Sequence, residues 1–218
     1  HPRIDAKDLG DLYIDFFYRR HNEFWKHNAM DKLSALLGST NMLACGEDLG
    51  MIPACVPEVM QRLNILSLEI QRMPKDPAQT FADPAHYPYG CVCTTSTHDM
   101  SPIRAWWEED RALSQRFYNE ALGCGGAAPY FCEPWVCRRI VEQHLWSPAM
   151  LVILPLQDWL SISPELRYKG NPADERINVP AIPRYHWDYR MHLSLEELLA
   201  AKDFNTDVAT LVKSSGRN

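Results

Sequence analysis

The sequence predicts an α/β fold in which parallel strands alternate with helices that lie outside them. Three observations carry this. Short apolar runs ("NMLACGED", "ILSLEIQRM", "CVCTTST", "AMLVILPLQDWL") recur with segments of helical periodicity between them, the alternation that produces βα units. The runs lack a consistent polar face, so both sides of each strand are expected to be covered. The 218 residues, with ordinary apolar and charged fractions, suffice for a sizeable core.

Residues 1–10, "HPRIDAKDLG", read as an extended lead-in. Leu12, Phe16, Phe24, Met30, Leu33 and Leu37 then follow helical spacing, and Gly38 is a natural stop. "NMLACGED" is short enough for a buried parallel strand. A helix opens near Pro53 and runs through "CVPEVMQRLN"; "ILSLEIQRM" is a strand ending before Pro74. A loop rich in Pro, Asp and Tyr covers residues 74–90, and "CVCTTST" is the third strand. "SPIRAWWEEDRALSQRFYNEALG" reads as one long helix, with Ser101 as N-cap, Pro102 in the first turn and Gly123 at the end. "EPWVCRRIVEQHLW" is another helix, "AMLVILPLQDWL" a fourth continuous strand, and residues 193–214 are helical. Four βα units make about half of a (β/α)8 barrel, in which reacting groups project from the C-terminal ends of strands. Glu47, Asp99 and Asp158 fall at such positions.

Composition narrows the function. A formal net charge of -6 offers no basic face to nucleic acid or an anionic membrane, so neither partner is expected. No apolar run approaches the roughly 20 residues of a membrane span, and no signal peptide is visible. The chain starts with His1 rather than Met and is read as a fragment. Its seven cysteines are odd in number and form no CxxC pair. A disulfide framework or metal cluster is therefore not expected, and free buried thiols fit a reducing, cytoplasmic compartment. Seven Trp and nine Tyr serve either the core or stacking on sugar rings.

"CGEDLG" places Glu47 and Asp48 between glycines where an apolar run ends. Cleaving a glycosidic bond with retention needs two carboxyl groups in different protonation states, about 5–5.5 Å apart. The proton donor needs a raised pKa, from desolvation or a neighbouring negative charge. Glu47 beside Asp48 suits that donor, with Asp48 supporting the loop "DLGMIP". The alternative is a helix-capping pair at a βα turn. Asp99 with His98 suits two adjacent sugar hydroxyls, held more tightly as the ring distorts. The alternative for Asp99 is an N-cap of the helix at Pro102. A lone His-Asp pair without further ligands at zinc spacing is a poor metal site.

Six motifs in order, "ACGEDLGMIPACVPEVMQRL", "LEIQRMP", "TTSTHD", "IRAWWEED", "LPLQDWL" and "RINVP", resemble the C-terminal part of the 4-α-glucanotransferases (amylomaltases, disproportionating enzymes) of glycoside hydrolase family 77. "AWWEED" and "LEIQRMP" resemble the larger, plant-cytosolic-like branch. The resemblance runs from about residue 5 to the end, and it implies the C-terminal half of a catalytic (β/α)8 TIM barrel over residues 11–218, with residues 1–10 the tail of an upstream insertion. It implies Glu47 as general acid/base, Asp99 as the acid that stabilises the transition state, and His98 as a sugar-hydroxyl ligand. The family's nucleophile is an Asp followed by His at a strand end. "RID" at Arg3 to Asp5 is rejected as that motif, because Ala6 follows and no apolar strand leads in; Asp5 is read as a surface residue. The nucleophile is thus expected outside this chain, which alone would be inactive. Asp48, Glu69, Arg72, Gln157 and Asn178 are candidate substrate-binding residues. Glu69 and Arg72 either line the cleft or form a paired strand end. Gln157 and Asp158 suit a structural or outer-site role, and Arg176 with Asn178 suits acceptor sugar. Trp106 and Trp107 point in different directions on a helix, so at most one faces a glucan.

The implied activity is retaining transfer of α-1,4-linked glucosyl units between maltooligosaccharides or glucans, without metal or organic cofactor. A glucan-binding half barrel without turnover and an α-glucan hydrolase on the same scaffold are the alternatives. A half barrel leaves two sheet edges unpaired. The missing N-terminal half, or a second copy, is expected to cover them.

Overall fold

The computed structural model describes residues 6–50, 52–185 and 187–217. Arg3 and Asp5 lie outside the described residues. Helix α1 (Ala6–Ile14) continues through a π-helical turn (Asp15–Arg20) into α2 (His21–Gly38). Then come α3 (Val56–Leu63), β1 (Ser67–Ile70), β2 (Cys91–Thr94), α4 (Ile103–Glu109), α5 (Arg111–Glu120) and α6 (Pro134–Leu145). The chain finishes with β3 (Leu151–Val152), α7 (Leu156–Ser161), α8 (Leu195–Ala200) and α9 (Lys202–Ser214). The strands form a parallel sheet in the order β1-β2-β3, which bears out the α/β class. Two compact units are distinguished, one holding residues up to 68 with 90–92, the other residues 69–89 with 93 onward.

In the first unit α2 packs on α3. Lys26 Nζ meets Glu58 Oε2 at 2.7 Å, and Val59 and Met60 turn inward. Helix α3 ends at Asn64, whose φ of 54° supplies the left-handed C-cap that its short polar side chain tolerates. Residues 6–10 are helical, which corrects the extended lead-in. The helical spacing holds, but Leu12, Phe16 and Phe24 are exposed. "NMLACGED" is also corrected: it contributes one parallel bridge, Cys45 with Leu66, while Met42 and Leu43 stand in solvent. A strand persists only where a neighbour accepts its ladder, and here the ladder has a single rung.

The second unit owns the main core. Ile103 and Trp107 of α4, Phe117 of α5, Val136, Ile140 and Val141 of α6 and Leu211 of α9 pack into one apolar cluster. His144 is wholly buried among them and donates Nδ1–H to Ile140 O at 2.8 Å. The expected single helix over 101–123 is two helices. Asp110 leaves helical geometry (φ -138°, ψ 106°), and its carboxylate accepts from the backbone N–H of Ala112 and Leu113. A short acid offers the backbone this alternative to continued helix. Nor is Ser101 the N-cap; Pro102 holds that position. The fourth strand is likewise shorter than expected. It ends at Val152, and Pro155, which could not donate to a ladder, is the N-cap of α7.

Candidate active site

In "CGEDLG" the two acids have different surroundings. Glu47 is exposed, and its Oε1 accepts from Leu49 N–H at 3.0 Å. Asp48 is buried and its Oδ1 accepts from Leu68 N–H at 2.8 Å. The acid pair does not cap α3, whose N-cap is Cys55 without a side-chain bond. A Cβ on Gly46 would come 2.8 Å from the Met60 methyl, the movable end of a flexible side chain. Gly50 has φ +77°, which favours glycine.

Asp99 lies five residues beyond the end of β2, in an exposed turn, rather than at the strand tip. Around it the structure assembles residues far apart in sequence. Asn178 Nδ2 donates to Asp99 Oδ1 at 2.5 Å. His98 Nε2 stands 3.4 Å from Asp99 Oδ2. Arg176 donates to Asp99 O at 3.1 Å, Ser101 Oγ at 3.0 Å and Asn178 O at 2.9 Å. The His98 ring lies 4.9 Å from the ring of Trp187, inclined by 40°, and Trp187 is exposed. The result is an open carboxylate flanked by polar donors with an aromatic face alongside. It can accept from hydroxyls while a ring stacks.

Two further residues hold this loop in place. Arg72 sits in the turn after β1 with its guanidinium 4.9 Å from the centre of the Trp106 ring. Its Nη2 donates to Thr95 O at 2.7 Å and Ser101 O at 2.9 Å, tying together both ends of the segment that carries His98 and Asp99. Burial brings its pKa down to about 10, so it stays charged at neutral pH. Asp158 is wholly buried on α7, not at a strand tip. Its carboxylate accepts from Thr95 Oγ1 at 2.5 Å, Ser96 Oγ at 3.3 Å and Ile103 N–H at 2.8 Å. Burial raises its pKa, against the Thr95 bond and the Arg72 charge, which lower it. Asp158 therefore binds the first N–H of α4, the bond that the sequence offered to Asp99 as the alternative.

The remaining candidates are spread more widely. Glu69 is paired with Lys75 at 2.8 Å. Gln157, on α7 rather than a strand tip, is buried and donates to Glu175 O at 3.3 Å. Trp107 is in the core while Trp106 lies half-buried under Arg72, so packing is the role of both. Trp187 was missed. It lies in a segment without strand or helix periodicity, where only the density of aromatic and charged residues in "YHWDYR" marks it.

Asp158→Ala is expected to cost about 3 kcal/mol, because three donors lose their buried acceptor. For a chain of this size that is a fall of about 6–12 °C in melting temperature, readable by circular dichroism. Asp158→Asn, which keeps an oxygen for Ile103 N–H, should lose less. A melting point unchanged by the alanine variant would remove Asp158 as the clamp on the loop.

The fold is α/β, and comparison with known proteins gives its family. The family model for 4-alpha-glucanotransferase, glycoside hydrolase family 77, matches residues 2–195. The chain belongs to that family. Among curated relatives it is 46% identical over 211 residues to the 4-alpha-glucanotransferase DPE2 of Oryza sativa subsp. japonica, covering 96% of this chain and 22% of the relative. It is 32% identical over 188 residues to a 4-alpha-glucanotransferase of Chlamydia muridarum, covering 83% of this chain and 34% of that one. In structure it is similar to the amylomaltase from Streptococcus agalactiae solved in complex with acarbose. The TM-score is 0.65 at 16% identity, over 87% of this chain and 35% of that one, and it bears on the fold. The chain thus spans about a fifth to a third of the length of these relatives.

Proposed function

We propose that this chain is the C-terminal half of a catalytic (β/α)8 barrel that transfers α-1,4-linked glucosyl units between maltooligosaccharides or glucans with retention. The observation that carries the proposal is the convergence of Asn178, His98 and Arg176 on the loop of Asp99. It leaves a carboxylate open to solvent yet fixed in direction, as a group that holds sugar hydroxyls must be. Family membership supports the same reading.

In this mechanism Glu47 protonates the departing glycosidic oxygen, and a carboxylate from outside this chain takes the anomeric carbon. Glu47 then removes the proton from the acceptor 4-hydroxyl, the reverse of its first role. Asp99 and His98 hold two neighbouring hydroxyls of the distorting ring. Arg72, Asp158 and Asp48 position backbone. Transfer prevails over hydrolysis where acceptor sugar occupies the site and water does not. We assign contacts with that sugar to Asn178, beside Asp99, and to Trp187, beside His98. The upstream half of the barrel, or a second copy, covers the two sheet edges that a half barrel leaves unpaired. We place the protein in the cytoplasm, in line with its free thiols; among the described residues no helix is long and apolar enough to cross a membrane.

The test is product analysis with maltotriose as substrate, on a full-length enzyme carrying this segment. Transfer yields glucose together with longer glucans at a constant number of reducing ends. A net gain of reducing ends would make it a hydrolase instead. Binding heat without any redistribution of chain length would leave only a glucan-binding module.

A further inference from the structure

We propose that Cys132 and Cys137 are a redox pair: a peroxide oxidises the two thiols to an intramolecular disulfide, and that bond loosens, through α7, the loop that carries His98 and Asp99. The pair stands on geometry that the glucan reading does not use.

The start of α6 explains why the two sulfurs meet. Glu133 is its N-cap and Pro134 its first residue. Cys132 therefore precedes the cap, and Cys137 is the fourth helical residue. Apolar side chains at these two positions commonly pack together where a helix begins. Here both are cysteines. Their sulfurs stand 3.4 Å apart, and both side chains are wholly buried. A disulfide holds its sulfurs about 2.05 Å apart, so a closure of roughly 1.4 Å from the observed separation forms the bond. Cys132 lies in the stretch 121–133, which has neither strand nor helix and contains Gly123, Gly125 and Gly126. Its backbone can follow the sulfur.

The two thiols are not equivalent. Burial opposes charge on Cys137, yet hydrogen bonds with Cys132 and Ser161 and the Arg167 charge bring its thiol below the ordinary value. Burial raises the Cys132 thiol well above that value, and the neighbouring Cys137 raises it further. Cys137 thus loses its proton first and becomes the nucleophile. Its sulfur attacks one oxygen of hydrogen peroxide, the O–O bond breaks, hydroxide leaves and a sulfenic acid remains. The Cys132 sulfur then attacks the Cys137 sulfur. The S–S bond forms, and the sulfenic hydroxyl leaves with the Cys132 proton as water. The thiols lose two electrons and two protons, and the peroxide becomes two waters. A dithiol restores both thiols by exchange and is itself oxidised to a disulfide. Access lies through the stretch 121–133, where Tyr130 and Phe131 stand in solvent, and a small oxidant suits that route. In a reducing compartment such a bond is transient and reports oxidant.

The link to the loop is short. Cys137 shares a hydrogen bond with Ser161 of α7. Ser161 Oγ donates to Asp158 O at 2.6 Å, one turn back along the same helix. Asp158 is the residue whose carboxylate holds Thr95, Ser96 and Ile103 N–H. Drawing the Cys137 sulfur toward Cys132 takes it from Ser161. Neighbours in a close-packed interior feel a shift of this size, and α7 carries it to the Asp158 clamp.

Peptide mapping of a full-length enzyme carrying this segment tests the pair. The protein is treated with hydrogen peroxide, alkylated, digested with trypsin and analysed by mass spectrometry. Residues 117–138 form one tryptic peptide, which holds Cys124, Cys132 and Cys137. The expected product carries an alkyl label on Cys124 alone, and dithiothreitol before alkylation restores labels on all three. Full labelling after peroxide, or oxidation of Cys132 or Cys137 that dithiothreitol does not reverse, overturns the pair and leaves only a packing contact at a helix start. Hydrogen exchange on the same protein reads the link. Amides of the segment 94–103 should exchange about tenfold faster in the oxidised form, the loss of about one hydrogen bond, and return to the parent rate on reduction. Cys132→Ala should exchange like the reduced parent with or without peroxide. Where that variant fails to fold, reversal by dithiothreitol serves as the control. Unchanged exchange on oxidation, or a rise that persists in Cys132→Ala, overturns the link to the loop. Both measurements are made without substrate, so they stand or fall separately from the glucan reading.

Discussion

Glu47→Gln in a full-length enzyme is expected to lower transfer from maltotriose by roughly 10²–10⁴-fold, the usual contribution of a positioned general acid. The substitution isolates the proton. Gln keeps an oxygen in place of Oε1, so the bond from Leu49 N–H survives and the turn "EDLG" is not disturbed. Glu47 is exposed, so no buried charge is lost and the melting temperature should stay the same. What disappears is the ability to protonate a sugar alkoxide. The loss must therefore depend on the leaving group. With α-maltosyl fluoride, whose fluoride departs without a proton, the variant should still form the glycosyl-enzyme and regain much of its first-step rate. Equal losses on both donors would assign Glu47 to binding. Near-normal turnover of maltotriose would remove it from catalysis.

The sequence discloses this fold unevenly, and the failures have physical causes. "CVC" and "SLEI" are short, β-prone and bounded by turns, and both are strands. "AMLVILPLQDWL" is apolar throughout, and periodicity cannot separate a buried strand from a buried helix in such a run. The strand ends at Val152, and Pro155 is the N-cap of α7. Within 101–123 the pattern is helical on both sides of Asp110, so the break rests on a single acid choosing backbone N–H groups over solvent. The site divides in the same way. His98, Asp99 and Asn178 are visible because local motifs carry them, and they do meet. The grip of Arg72 on Thr95 and Ser101, and of Asp158 on Thr95, Ser96 and Ile103, joins residues distant along the chain. No periodicity encodes such a pairing. Only the fold brings the partners within reach.

That division decides what Asp99→Asn should do. Because Asp158, not Asp99, binds the N-terminus of α4, the variant is expected to melt with the parent. Asn178 Nδ2 can still donate to the amide oxygen at position 99, preserving the 2.5 Å contact. The other oxygen becomes an NH₂ group facing His98 Nε2, now 3.4 Å from Oδ2, and the negative charge is gone. A charged acceptor gains most where the bound ring becomes positive, so its removal weighs on the transition state more than on the ground state. The expected signature is a fall in kcat on the order of 10²–10³-fold with a much smaller change in KM, measured with maltotriose on a full-length enzyme. A rise in KM at constant kcat would mean that Asp99 binds ground-state sugar uniformly and takes no part in the chemical step. A lowered melting temperature without either kinetic change would instead return Asp99 to the structural role from which Asp158 has displaced it.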